Sequence, residues 1–91
     1  PGDVSVVATA LTERQVEIRV FKLGNDVVAL DSLRGGGSWE QIALLTNVDD
    51  VDSRPPLAAG QPEQRQYRVQ AYAGNQRVGA ISPIVSVVTV P

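Results

Sequence analysis

The chain contains no cysteine, no histidine and no methionine. Without thiolate or imidazole it cannot assemble a tetrahedral zinc site, an iron-sulfur cluster or a haem ligand, and it has neither a cysteine nucleophile nor a Ser-His-Asp relay. No cofactor is expected. Disulfides are excluded too, so the fold must rest on burial and strand pairing, and cysteine usage says nothing of redox compartment. Aromatic residues are few: Phe21, Trp39, Tyr67 and Tyr72 are all there are, little material for a substrate groove. No stretch approaches the roughly 20 apolar residues of a spanning helix, so membrane insertion is not expected. Charge of one sign is lacking as well. Eight basic residues are interspersed with ten carboxylates for a net charge of -2, which leaves no long-range field to draw nucleic acid or anionic lipid. The 91 residues have room for one domain, 1–91. Its opening at Pro1-Gly2-Asp3, with no basic-then-apolar leader, reads as an internal cut from a longer protein, with Pro1 and Pro91 as linker ends.

What is present is valine in alternation, as in Val16-x-Ile18-x-Val20, Tyr67-x-Val69-x-Ala71 and Ile84-x-Ser86-x-Val88-x-Val90. Period two with β-branched residues predicts strands with one buried face. Turn signals separate the runs at Gly24-Asn25-Asp26, Gly35-Gly36-Gly37, Pro55-Pro56, Gly60-Gln61-Pro62, Gly74-Asn75 and Ser82-Pro83. The spacing predicts extended segments at 4–10, 15–21, 27–33, 39–45, 48–52, 65–73 and 84–90. The fold class is all-β, an immunoglobulin-like β-sandwich of about seven antiparallel strands in two sheets. Thr12-Glu13-Arg14-Gln15 also fits a helical capping box, and Pro62 could open a helix through Tyr72. The strict alternation of Val16, Ile18 and Val20, and of Tyr67, Val69 and Ala71, favours strands in both places.

Taken in order, Trp39-Glu40-Gln41-Ile42-Ala43, the acidic stretch from Asn47 to Asp52, Tyr67-Arg68-Val69-Gln70-Ala71, and Gly79-Ala80-Ile81-Ser82-Pro83 leading to Val85 and Thr89 resemble a fibronectin type III domain over essentially the whole chain. The resemblance implies seven strands in two sheets, with Tyr67 in a tyrosine corner whose hydroxyl bonds backbone a few residues upstream. Two departures stand out. The second strand has no Trp, and Leu57-Ala58-Ala59-Gly60 lies further from Tyr67 than the family's Leu-x-Pro-Gly stretch, implying a looser or differently built corner. The stretch 54–62 also resembles fibronectin-like segments of uncharacterised bacterial proteins.

Several constellations carry a possible chemistry and a plainer structural one. Asp49, Asp50 and Asp52 offer oxygen ligands for Ca²⁺, but they lack the glycine and terminal glutamate of an EF-hand loop, so a solvated turn is the expectation and no metal is assigned. Glu40 with Glu63 or Asp52 supplies the carboxylate pair of a glycosidase, with nothing to place them in a cleft. Lys22, the one lysine, alternates onto the face opposite Phe21 and reads as a surface residue. Gly35-Gly36-Gly37 lacks the lysine and helix of a phosphate loop and reads as a loop tip. Alternation sends Tyr67 inward and leaves Phe21 and Tyr72 for an exposed patch, while the faces Trp39, Gln41, Ala43 and Glu40, Ile42, Leu44 are too evenly apolar to assign a side to Trp39. Neither an Arg-Gly-Asp triplet nor an Asn-x-Ser/Thr sequon occurs.

The expected function is that of a non-catalytic spacer or protein-binding module of a larger bacterial protein. Contact residues are expected in the loops: Asn25, Asp26, Arg34, Trp39, Tyr72, Asn75 and Arg77. Expected partners are a protein or neighbouring domains of the same chain, with polysaccharide as the alternative if Trp39 and Tyr72 stack on sugar rings in an accessory module of a secreted polysaccharide-degrading enzyme. The chain is expected to be a monomer or a weak dimer through its last strand. The resemblance implies an extracellular or cell-surface setting.

Overall fold

In the computed structural model, which describes residues 3–90, the period-two segments become strands. They are β1 (Ser5–Ala10), β2 (Val16–Phe21), β3 (Val27–Arg34), β4 (Glu40–Leu45), β5 (Asp49–Asp52), β6 (Gln64–Ala73), β7 (Gln76–Val78) and β8 (Val85–Val88). One sheet has the order β1-β2-β5; the other has the order β4-β3-β6-β7, with β8 also paired to β6. Every ladder is antiparallel. Val16, Ile18 and Val20 of β2 face Val28 and Leu30 of β3 and Tyr67 and Val69 of β6 across one core, all at 1% exposure or less. Fully burying an aliphatic side chain of this size contributes about 1.5–3 kcal/mol, and this layer is the main source of stability in a chain without cross-links. Pro1 and Pro91, read from the sequence as linker ends, lie outside the described residues.

One sequence expectation needs correction, the count of seven segments: β7 (Gln76–Val78) falls in none of them, while 84–90 shortens to β8. β7 and β8 are two pieces that both pair with β6, and between them Ser82 takes over the ladder: its N–H donates to the Val69 carbonyl at 2.8 Å while its Oγ accepts the Val69 N–H at 2.9 Å. Pro83, which has no N–H to offer, follows at the break. The helix that Thr12-Glu13-Arg14-Gln15 could have opened does not form, and Val16–Phe21 is the strand that its alternation predicted. Residues 12–15 form the β1–β2 turn, with Glu13 at φ 60° and Arg14 at φ 65°.

That turn stores strain. Two consecutive left-handed residues are the geometry of a primed hairpin turn, for which Asn-Gly is preferred and two β-carbon-bearing charged residues are not. The turn is held because the Leu11 N–H donates to the Gln15 carbonyl at 2.8 Å and the Arg14 N–H to the Val90 carbonyl at 2.9 Å, both through backbone. Glu13→Asn with Arg14→Gly keeps these bonds and relieves the strain. It is expected to raise stability by about 1 kcal/mol, a thermal midpoint higher by about 4–8 °C. A lower midpoint in thermal denaturation would count against the turn geometry.

A β-bulge in β4 decides which of its side chains reach each face of the larger sheet. Leu30 pairs with Ala43 but Asp31 pairs with Gln41, so Ile42 is an extra residue in β4. The alternation of β4 changes phase there. Ala43 and Leu45 turn inward after the bulge, whereas before it Gln41 lies beside Asp31 on the outer face and Glu40 sits opposite Ser32 on the inner face.

Candidate functional site

The strands set two ends. The β2–β3 loop, the β4–β5 connection and the β6–β7 turn lie at one end; the β1–β2 turn and the β3–β4 and β5–β6 loops lie at the other, with Val90. The second end is closed from inside by charge. Asp52 ends β5 opposite Val16 and is buried at 4% exposure. Its Oδ1 accepts from Arg54 Nε at 2.8 Å and from the Arg54 backbone N–H at 3.2 Å; its Oδ2 accepts from Arg54 Nη2 at 2.8 Å and from the Tyr67 hydroxyl at 2.6 Å. Arg65 alternates inward with Tyr67 and Val69 and is fully buried. Its Nε donates to Glu63 Oε2 at 2.9 Å and its Nη2 to the Arg54 carbonyl at 2.7 Å, while Nη1 stands 3.3 Å from Asp52 Oδ2 as an ion-pair contact without hydrogen-bond geometry. Glu63 Oε1 accepts the Leu57 N–H at 2.8 Å, and Arg54 reaches Glu40 Oε1 at 2.6 Å and Ser32 Oγ at 2.7 Å.

Two expectations are overturned here. Tyr67 does occupy the inward position on β6, but its hydroxyl donates to the Asp52 carboxylate rather than to backbone a few residues upstream. And Asp49, Asp50 and Asp52 do not form a solvated turn: they lie in β5, where alternation separates Asp52, facing the core, from Asp49, whose Oδ1 is 3.0 Å from Arg19 Nε on the exposed face.

The network sets the protonation states. Burial alone would raise the Asp52 carboxyl, but hydrogen bonds from Arg54 and Tyr67 and the charge of Arg54 outweigh it and hold it at about 2. Burial likewise works against Glu63, and the Leu57 N–H and the Arg65 guanidinium prevail, leaving it below its ordinary value. Burial and the neighbouring Asp52 carboxylate push the Tyr67 phenol well above its usual range.

A second cluster lies on the outer face of the larger sheet. Asp31, buried at 3% exposure in the middle of β3, accepts from Arg77 Nη1 at 2.7 Å and Nη2 at 2.5 Å and from Arg68 Nε at 3.2 Å. Arg77 also donates to Gln41 Oε1 at 3.0 Å, the residue that the bulge turns to this face. Burial would raise the Asp31 carboxyl, but the Arg77 and Arg68 hydrogen bonds more than offset it and lower it. The Arg68 guanidinium lies 4.2 Å from the Trp39 ring centroid, a cation–π contact. Arg68 alternates outward between Tyr67 and Val69, so Trp39 belongs to the outer face, half-buried.

The seven residues predicted from sequence thus fall into three places. Asn25, Asp26 and Tyr72 line one open cavity of about 410 Å³ with Gly24, Val27, Ala73 and Gly74, and Asn75 sits beside it in the β6–β7 turn at φ 64°. Arg34 and Trp39 line another, of about 260 Å³ at the opposite end, with Gly37, Ser38, Glu40 and Leu57. Arg77 is engaged by Asp31 between them. Phe21 is exposed as expected. Lys22, read as a plain surface residue, instead ties two loops together, its Nζ donating to the Asp26 and Thr46 carbonyls. Sequence reasoning missed Asp31, Arg54, Arg65 and Arg68. Two signals pointed to them: Asp31 follows four apolar residues in a strand, and Arg65 is in phase with Tyr67 and Val69, while charged residues are almost never fully buried unless paired.

Two antiparallel sheets packed face to face, with an inward tyrosine on the sixth strand, define an immunoglobulin-like β-sandwich of the fibronectin type III kind. Comparison with solved structures bears this out: the chain is similar to the fibronectin type III domain of human fibronectin type III domain containing protein 3, with a TM-score of 0.76 over 98% of this chain and 84% of that one, at 13% sequence identity. A likeness at that identity shows the fold. No family model and no curated protein matches the sequence.

Proposed function

We propose that the chain works as a non-catalytic structural and interaction module, a rigid sandwich that sets the spacing of its neighbours and offers its end loops to a protein partner. The observation that carries this reading is the state of the carboxylates. A glycosidase pair needs one carboxyl raised so that it stays protonated near neutral pH. Asp31, Asp52 and Glu63 are all shifted the other way, each held by an arginine, and Glu40 is bound by Arg54. These groups are spent on the fold. What remains for recognition is the loop set around Asn25, Asp26, Tyr72 and Asn75, where two rigidly held strand ends present short polar side chains and one aromatic ring.

The polysaccharide alternative needs Trp39 and Tyr72 to stack on sugars. Tyr72 pairs with Val27 at one end of β3 and Trp39 precedes Glu40, which pairs with Ser32 near the other, so the two rings cannot clamp a single sugar, and Arg68 covers one face of the indole. Titration with soluble glycans is expected to leave Trp39 fluorescence unchanged. A saturable shift would contradict the protein-module reading and favour the carbohydrate one.

A further inference from the structure

We infer that the flank formed by β1 and β8 is a self-association edge, and that its occupant is a second copy of this chain, joined β8 to β8 about a two-fold axis. The hydrogen-bond phase of β8 opens the edge. The Thr89 N–H donates to the Glu63 carbonyl at 2.9 Å, and the two-residue rhythm of an antiparallel ladder then turns Val85 and Val87 toward β6. The N–H and C=O groups of Ser86 and Val88 therefore point away from β6, and no strand among the described residues pairs with them. Only beyond them is the edge closed, where the Val90 carbonyl accepts the Arg14 N–H.

The side chains suit a copy of the same strand. Ile84, Val88 and Val90 are 54%, 58% and 44% exposed on one face. An antiparallel pairing centred on Ser86 sets Ile84 opposite Val88 of the other copy and stops short of the closed Val90, so exposed apolar groups cover one another.

Charge selects this edge and this occupant. None of the chain's charged residues falls within 78–90, so two copies of β8 set no like charges directly opposite one another. The opposite edges of the two sheets carry Glu40 on β4 and Asp49 and Asp50 on β5, charged groups that pairing with a copy would have to desolvate. β8 is short, at four residues, but carries no lysine, proline or bulge, the other devices with which natural sheets guard their edges. The molecule measures 40 × 22 × 19 Å, which caps one flank near the roughly 800 Å² per partner of a standard interface. Partial coverage of that flank makes a weak dimer, and the joined sheet runs through both copies.

Sedimentation equilibrium from about 1 µM to about 1 mM tests this. The weight-average mass is expected to rise from 9.7 kDa toward twice that value. Val88→Lys is expected to weaken association at least about tenfold, with an unchanged thermal midpoint. Ser86→Pro should do the same, because the N–H it removes faces outward and no ladder bond is lost. Val51→Lys, exposed on the outer face of β5, should associate like the wild type. A constant mass of 9.7 kDa at every concentration overturns the inference. So does association that survives both β8 substitutions, or that Val51→Lys abolishes equally.

Discussion

Replacing Asp52 by alanine is expected to lower stability by about 3–5 kcal/mol, the cost of removing one partner of a buried ion pair and leaving the other uncompensated. The residue left behind is Arg65, fully buried, whose remaining partners are Glu63 and the Arg54 carbonyl. Arg54 loses three bonds and the Tyr67 hydroxyl loses its acceptor in the same step. At about 4–8 °C per kcal/mol for a domain of this size, the thermal midpoint falls far enough that the variant is best followed in urea. Tyr67→Phe removes only the hydroxyl and is expected to cost less, about 1.5–3 kcal/mol for a hydrogen bond to a charged acceptor. If Asp52→Ala costs under about 1 kcal/mol, the network does not hold this end of the sandwich together.

Acid is expected to produce a loss of similar size. Asp31, Asp52 and Glu63 all have folded values below their ordinary ones. For such a group the stabilisation is complete above the unfolded-state value and disappears as pH falls through the folded-state value. For Asp52 the window runs from 3.8 down to about 2, a difference on the order of 2–3 kcal/mol. Asp31 and Glu63 add to it in the same direction. Urea midpoints should therefore be flat from neutral pH to about pH 5 and then fall steeply toward about pH 2. Asp52→Asn should start lower and fall less, having no carboxylate to protonate at that position. A midpoint unchanged across this whole range would contradict the assigned partners.

Much of the fold was legible because burial on one side of a strand leaves a period of two in the sequence. Val16, Ile18 and Val20 are buried while Glu17, Arg19 and Phe21 are exposed, as their alternation predicted. β4 was illegible for the converse reason. The bulge at Ile42 changes phase in mid-strand, so neither alternating set faces one way throughout, and Trp39 could be assigned a side only through its contact with Arg68. β7 was missed because its three residues, Gln76–Val78, are too few to show an alternating apolar pattern and follow directly on the Gly74-Asn75 turn signal.

The charged clusters were harder to see. Asp52 stands among other acidic residues and reads as a solvated one; its partner Tyr67 lies 15 residues on, and only the register of β5 on β2 turns it inward. Asp31 and Arg77 are 46 residues apart and meet because β7 folds back on β6. The seven loop residues expected to make contacts were marked by turn signals, which show where a chain reverses. They do not say which end of the sandwich each turn occupies, and so Arg34 and Trp39 were grouped with residues at the opposite end.

The interior carboxylates are held ionised by arginine, and the reading of the molecule as a non-catalytic module depends on that. Carbon-13 NMR of the Asp52 side-chain carboxyl, followed as the folded protein is acidified, tests it most directly. The resonance is predicted to stay in its ionised position from neutral pH until the onset of acid unfolding, consistent with a value of about 2. Titration of the folded protein at 3.8 or above would contradict it.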